Sequence, residues 1–192
     1  VTDPRNAAAP GTRGTGGNEN DQGRSEAIVG QTGDKADNEM QLLGCMLRCG
    51  SAAEIQSMTY AVPARVFSDR LTAALWLAGE HLANNNVADA ATTVKVAVMA
   101  GLWPRDLHHE VTSRAVDAIE ASKFDPWEWP FVALQVLDAH LRRETARRLS
   151  LVAADLPNVN PRNIVRDLLD AVEYAETVLG WMGHIDRQEL AA

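Results

Sequence analysis

FVALQVLDAHLRRETARRLSLVAADL, from Phe131 to Leu156, decides the fold class. It holds no Gly or Pro, so nothing interrupts a helix. Leu134, Leu137, Leu141, Leu149, Val152 and Leu156 recur at steps of three, four or their multiples, which lays an apolar stripe along one helical face. Arg142, Arg143, Arg147 and Arg148 cluster in the middle, with Asp138 and Glu144 beside them. Asn158-Val159-Asn160-Pro161 then breaks the helix and starts another; Asn160 suits an N-cap and Pro161 the first helical position. The second helix is expected from about Arg162 to Leu179, with Ile164, Val165, Leu168, Val172, Ala175 and Leu179 on its apolar side. Two long helices joined by a tight turn make an αα-hairpin. Such a pair either packs on its own domain or exchanges contacts with another subunit.

Working outward, the remaining 1–130 divide into an arm and a run of shorter helices. Residues 1–37 are rich in Gly, Asn, Asp, Thr and Pro and hold too few apolar side chains to offset the entropy of ordering, so a disordered arm is expected there. A first helix, Glu39 to Cys49, carries Met40, Leu43, Met46 and Leu47, and Gly50 ends it. Ser51-Ala52-Ala53-Glu54 is a capping-box pattern for a short helix to about Thr59. Pro63 lies in the connection. Ser68 or Asp69 caps a helix to about Ala83, with Leu71, Ala74, Leu75, Ala78 and Leu82 inward, and Asn84-Asn85-Asn86 stops it. Asp89 caps a helix from Ala90 to Ala100. Pro104 opens another, with Leu107, Val111, Ala115, Ala118 and Ile119 in register. Asp125-Pro126-Trp127-Glu128 is one more capped start, and Pro130 should force a kink or restart before the long helix. The residues from Gly180 to Ala192 read as a frayed tail. The expected organisation is an arm over 1–37, an all-α domain over 38–182 (a bundle over 38–125 and a hairpin over 126–182), and a tail over 183–192.

Composition narrows function. The chain has 192 residues, enough for one good core, with 46% hydrophobic and 23% charged residues as in ordinary globular proteins. The net charge of −8 excludes a surface that adsorbs nucleic acid as a whole, so direct DNA binding should be weak or absent unless the arginine cluster supplies it. Cys45 and Cys49 sit four apart on one helix and read as reduced core residues of a cytoplasmic protein. No apolar run approaches the ~20 residues that span a membrane, and no signal-peptide pattern opens the chain.

At this point the chain resembles the N-terminal domain of the DnaB-type replicative DNA helicases. Family members begin with a helix of the form A-E-x-x-[LV]-L-G-x-[ML]-L, and Asp37-Asn38-Glu39-Met40-Gln41-Leu42-Leu43-Gly44-Cys45-Met46-Leu47 is similar to it. A Phe-Tyr-Asp segment with an aromatic about nine residues on is matched by Phe67-Ser68-Asp69 and Trp76, although Ser68 replaces an aromatic and Thr72 a histidine. Ala88-Asp89-Ala90-Ala91-Thr92 resembles the Val-Asp-x-x-Thr entry to a later helix. Leu137 to Leu149 and Asp167 to Glu173 correspond to the two final helices, so the likeness spans about Asp37 to Leu179. It rests on the order and spacing of these pieces. It implies a small bundle plus a helical hairpin, assembly into a ring collar, and contacts with primase or a loader. In the family an ATPase motor follows. Gly11 to Gly17 lacks the G-x-x-x-x-G-K-[ST] cradle, so neither ATP-coupled unwinding nor any cofactor is expected of these residues.

Three groups of side chains are candidates for binding. The four arginines suit an acidic protein patch or phosphates, and equally a solvated or intramolecularly paired face. Trp127 and Trp129 beside Pro130 could anchor a partner or pack where bundle meets hairpin; Trp181 is a weaker candidate of the same kind. Leu134, Leu141, Leu168 and Val172 lie on the apolar stripes through which the hairpin could dock. His108-His109-Glu110 cannot chelate by itself, because adjacent helical residues point ~100° apart. Asp167, Asp170 and Glu173 descend one helix as a solvated face rather than an acid–base pair. The expectation is therefore a non-enzymatic, replication-associated interaction module that forms a homo-oligomer or docks on a helicase, primase or loader. The alternatives are a helical interaction protein of the same fold with no replication role, or a truncated, non-functional helicase paralogue.

Overall fold

The computed structural model describes residues 38–100, 107–155 and 160–189. The arm over 1–37, the Pro104 helix start, the turn over 156–159 and the final residues 190–192 lie outside the described residues. Every regular element among the described residues is helical, seven of them α-helices. These are α1 (residues 38–48), α2 (Ala52–Ala61), α3 (Arg70–Ala83), α4 (Ala90–Met99), α5 (His108–Ala121), α6 (Trp129–Asp155) and α7 (Pro161–Glu189). No described helix is long and apolar enough to cross a membrane.

The helix starts follow local capping chemistry. The Ser51 hydroxyl accepts from Glu54 N–H at 3.3 Å, Asp69 from Thr72 N–H at 2.9 Å, and Asp89 from Thr92 N–H at 2.7 Å. Asn160 Oδ1 accepts from Arg162 N–H at 3.0 Å, with Pro161 as the first residue of α7. Asn86, with φ of 59°, takes the left-handed turn after α3 that asparagine tolerates.

Helix α3 is the centre of the bundle and touches α2, α4 and α5. Trp76 and Leu75 are fully buried, and the Trp76 indole N–H donates to the Val62 carbonyl at 2.8 Å. Helix α1 buries Leu42, Leu43 and Met46. At Gly44 it lies so close to α5 that an added Cβ would run into the Ala118 carbonyl oxygen and Ser122 Cβ. Cys45 and Cys49 are buried and free, and burial pushes the Cys49 thiol up to about 11.

Three expectations change. Pro130 neither kinks nor restarts the long helix: Pro126–Glu128 forms a 3-10 turn, and α6 begins at Trp129, so Pro130 falls in the first turn, where its missing N–H has no helical partner to lose. Ile119 sits on the exposed side of α5 while Val111, Ala115 and Ala118 are buried. Helix α7 does not fray at Gly180. It runs to Glu189, because Ile185 is fully buried in the core and Trp181 and Met182 pack against it.

Candidate functional site

Helices α6 and α7 pack against each other, as the sequence led us to expect, but each divides into two regions. The bundle-side portion is anchored: Val132, Ala133, Val136 and Leu137 of α6, and Ala171, Val178 and Ile185 of α7, are buried. Beyond it, between Leu141 and Asp170, no described residue is buried. That distal portion is an arm of two helices with apolar side chains turned to solvent. Leu149 and Leu151 are exposed on α6, as are Val165, Leu168, Leu169 and Val172 on α7, with Leu179 further along.

The inward face of α7 is therefore not the one its sequence singles out. The residues that face the bundle are Ala171, Tyr174, Val178, Trp181 and Ile185. The stripe of Val165, Leu168, Val172 and Leu179 lies on an adjacent face and points outward, with Val172 56% and Leu179 54% exposed. Leu134 and Leu141 are partly buried against the core. The expected interface leucines thus separate, two packing inward and Leu168 remaining outside with Val172.

All four arginines face carboxylates of the same chain. Arg142 pairs with Asp138 at 2.8 Å and Arg147 with Glu144 at 2.6 Å. Arg148 pairs with the same Glu144 at 2.7 Å, and its guanidinium lies over the Tyr174 ring at 4.2 Å from the centroid. The two guanidiniums hold the Glu144 carboxyl down at about 2. Arg143 reaches back to the bundle, pairing with Glu39 Oε1 at 3.3 Å and donating to the Val66 carbonyl at 2.7 Å. Glu39 is only 5% exposed, and its other oxygen accepts from the Ser68 N–H and hydroxyl, each at 2.8 Å. A phosphate approaching this cluster would meet cations that are already partly neutralised.

His140, which sequence reasoning passed over, joins the same network. Its Nδ1 lies 3.0 Å from the Val66 carbonyl and its Nε2 2.6 Å from the Tyr174 hydroxyl. A carbonyl can only accept, so we assign the proton to Nδ1, and Nε2 accepts from Tyr174. Burial, with Arg143 nearby, holds the imidazole below its usual value and favours the neutral ring.

The two candidate tryptophans part company. Trp129 is 5% exposed and belongs to the core, whereas Trp127 is 70% exposed. Trp127 and Phe131 border an open groove of about 1030 Å³ between α2 and the start of α6. Trp181 is partly buried, with the Arg65 guanidinium over its ring at 4.8 Å. Among the described residues no group of three or more His, Cys, Asp or Glu side chains is placed to hold a metal ion.

No family model matches the chain, and neither a curated protein nor a solved structure matches it. The described residues define an all-α fold whose last two helices run on beyond the buried core.

Proposed function

We propose that this chain is a non-enzymatic, replication-associated interaction module of the replicative-helicase collar type, acting through the α6–α7 arm. The observation that carries the reading is the outward stripe of Val165, Leu168, Leu169 and Val172, the first three on a stretch of α7 with no buried side chain among the described residues. A contiguous apolar patch rimmed by charge marks a surface for association, because covering it removes apolar area from water.

The charges on α7 favour a second copy as one occupant. Exposed Arg162 and Arg166 lie toward its start, and exposed Glu173 and Glu176 follow the stripe. In an antiparallel pairing centred near Leu169, Arg162 of one copy meets Glu176 of the other at both ends of the contact. The replication part of the proposal rests on the sequence resemblance, which points to the collar of a replicative helicase, a primase or a loader as further partners.

The test is size exclusion with light scattering on the full chain, alone and mixed with the replicative helicase or primase of the same cell. Co-migration with either supports the replication reading. Self-association with indifference to both leaves a helical interaction protein of the same fold.

A further inference from the structure

The groove beside Trp127 shares no residue with the α7 stripe, and its chemistry differs. The buried Trp129 is among the residues that line it. One side presents Trp127 and Phe131, the latter 53% exposed and held against Phe124 with ring centroids 5.8 Å apart. The facing side is α2, with Ser51, Glu54 and Ser57. Two carboxylates, Glu54 and Glu128, line the groove, and no lysine or arginine does. Neither carboxylate forms a salt bridge among the described residues. Glu54 accepts a weak bond from the Cys49 thiol at 3.4 Å, and Glu128 accepts the Asp125 N–H at 2.8 Å. The nearby cation, Arg48, is already held by Asp125 at 3.6 Å and by the Phe124 carbonyl at 2.9 Å.

We propose that this groove docks an extended cationic peptide, an arginine- or lysine-bearing segment of another protein. An exposed indole is the best aromatic platform for a cation, and neighbouring carboxylates hold the same cation by charge. The apolar stems of Arg and Lys fit beside Phe131 and Pro130 while their heads reach Glu54 and Glu128. The groove is open rather than enclosed, which suits a peptide more than a buried small molecule. The chain's net charge of −8 steers a basic segment toward it. The Asp125–Glu128 contact and the Pro126–Glu128 turn fix the backbone at Trp127 before any partner arrives, so little main-chain ordering remains to be done on binding.

Fluorescence anisotropy tests the proposal on the full chain. The probes are a fluorescein-labelled dodecapeptide of proline, leucine and four spaced arginines, and its counterpart with glutamate at the arginine positions. The arginine peptide should bind and the glutamate peptide should not. Trp127→Ala should weaken binding by about tenfold or more, as should the double variant Glu54→Gln, Glu128→Gln, while Trp127→Phe retains part of it. Trp127 is largely exposed, so its loss should leave the circular dichroism spectrum unchanged, and the carboxylate variant gives an independent reading. Equal binding by the wild type and both variants would mean unspecific attraction to an acidic protein and would overturn the proposal. So would the absence of binding by the arginine peptide.

Discussion

The Tyr174 hydroxyl donates to His140 Nε2 at 2.6 Å, which joins the two helices of the hairpin just where the anchored portion gives way to the free arm. On its other side the same imidazole donates to the Val66 carbonyl, so one neutral ring links α6, α7 and the turn after α2. Tyr174→Phe keeps the ring under Arg148 and removes only the hydroxyl. It should lower unfolding stability by about 1 kcal/mol, as for a typical buried hydrogen bond, in urea denaturation followed by circular dichroism.

The same ring gives the stability a pH dependence of defined sign. His140 is held below its ordinary value by burial first and Arg143 second, against the opposing influence of the Val66 carbonyl, Glu144 and Glu39. A depressed histidine is neutral in the folded state and takes up its proton more readily once unfolded. Its contribution is therefore complete above the unfolded value of about 6.5 and is lost as pH falls below it. Denaturation at pH 7.5 and 5.5 should show the wild type losing more stability on acidification than His140→Gln.

Glu39 is buried beneath Arg143 and Ser68, so its removal strands two sets of donors. Glu39→Ala should destabilise by about 1–3 kcal/mol, the worth of charge-assisted hydrogen bonds that the partly exposed Arg143 and Ser68 then exchange for water. Arg142→Ala, which breaks only an exposed pair with Asp138, should leave stability nearly unchanged. Parallel thermal melts of the two variants check the contrast.

At Gly44 the obstacle to a side chain is partly backbone, the Ala118 carbonyl oxygen, which cannot rotate away. Gly44→Ala should therefore destabilise by about 1–3 kcal/mol through forced separation of α1 and α5, despite alanine's better helix propensity. At Gly50, where nothing lies within 4 Å, the same substitution meets no such obstacle. Chemical denaturation of the pair measures the difference.

What was legible in the sequence was the local chemistry. Ser51, Asp69, Asp89 and Asn160-Pro161 mark helix starts because a cap needs only residues within one turn of it. The inward face of α7 was not legible. Val165, Leu168, Val172 and Leu179 satisfy helical spacing, and so do Ala171, Tyr174, Val178, Trp181 and Ile185 one face away; only docking on the bundle chooses between them. The division of Trp127 from Trp129 turns on where a single 3-10 turn hands over to α6. The Arg143–Glu39 pair joins residues 104 apart, a distance at which side-chain spacing carries no signal.

The outward face of the α7 arm is the proposed interface. Leu168→Glu combined with Val172→Glu tests it most directly, since both side chains are already exposed and charge there should not disturb the core. Light scattering on wild type and variant is the measurement. The wild type should form a defined oligomer, or a complex with helicase or primase, and the variant should lose it while keeping its helical spectrum and melting temperature. A wild type that stays monomeric and ignores both partners, or a variant that associates as the wild type does, would contradict it.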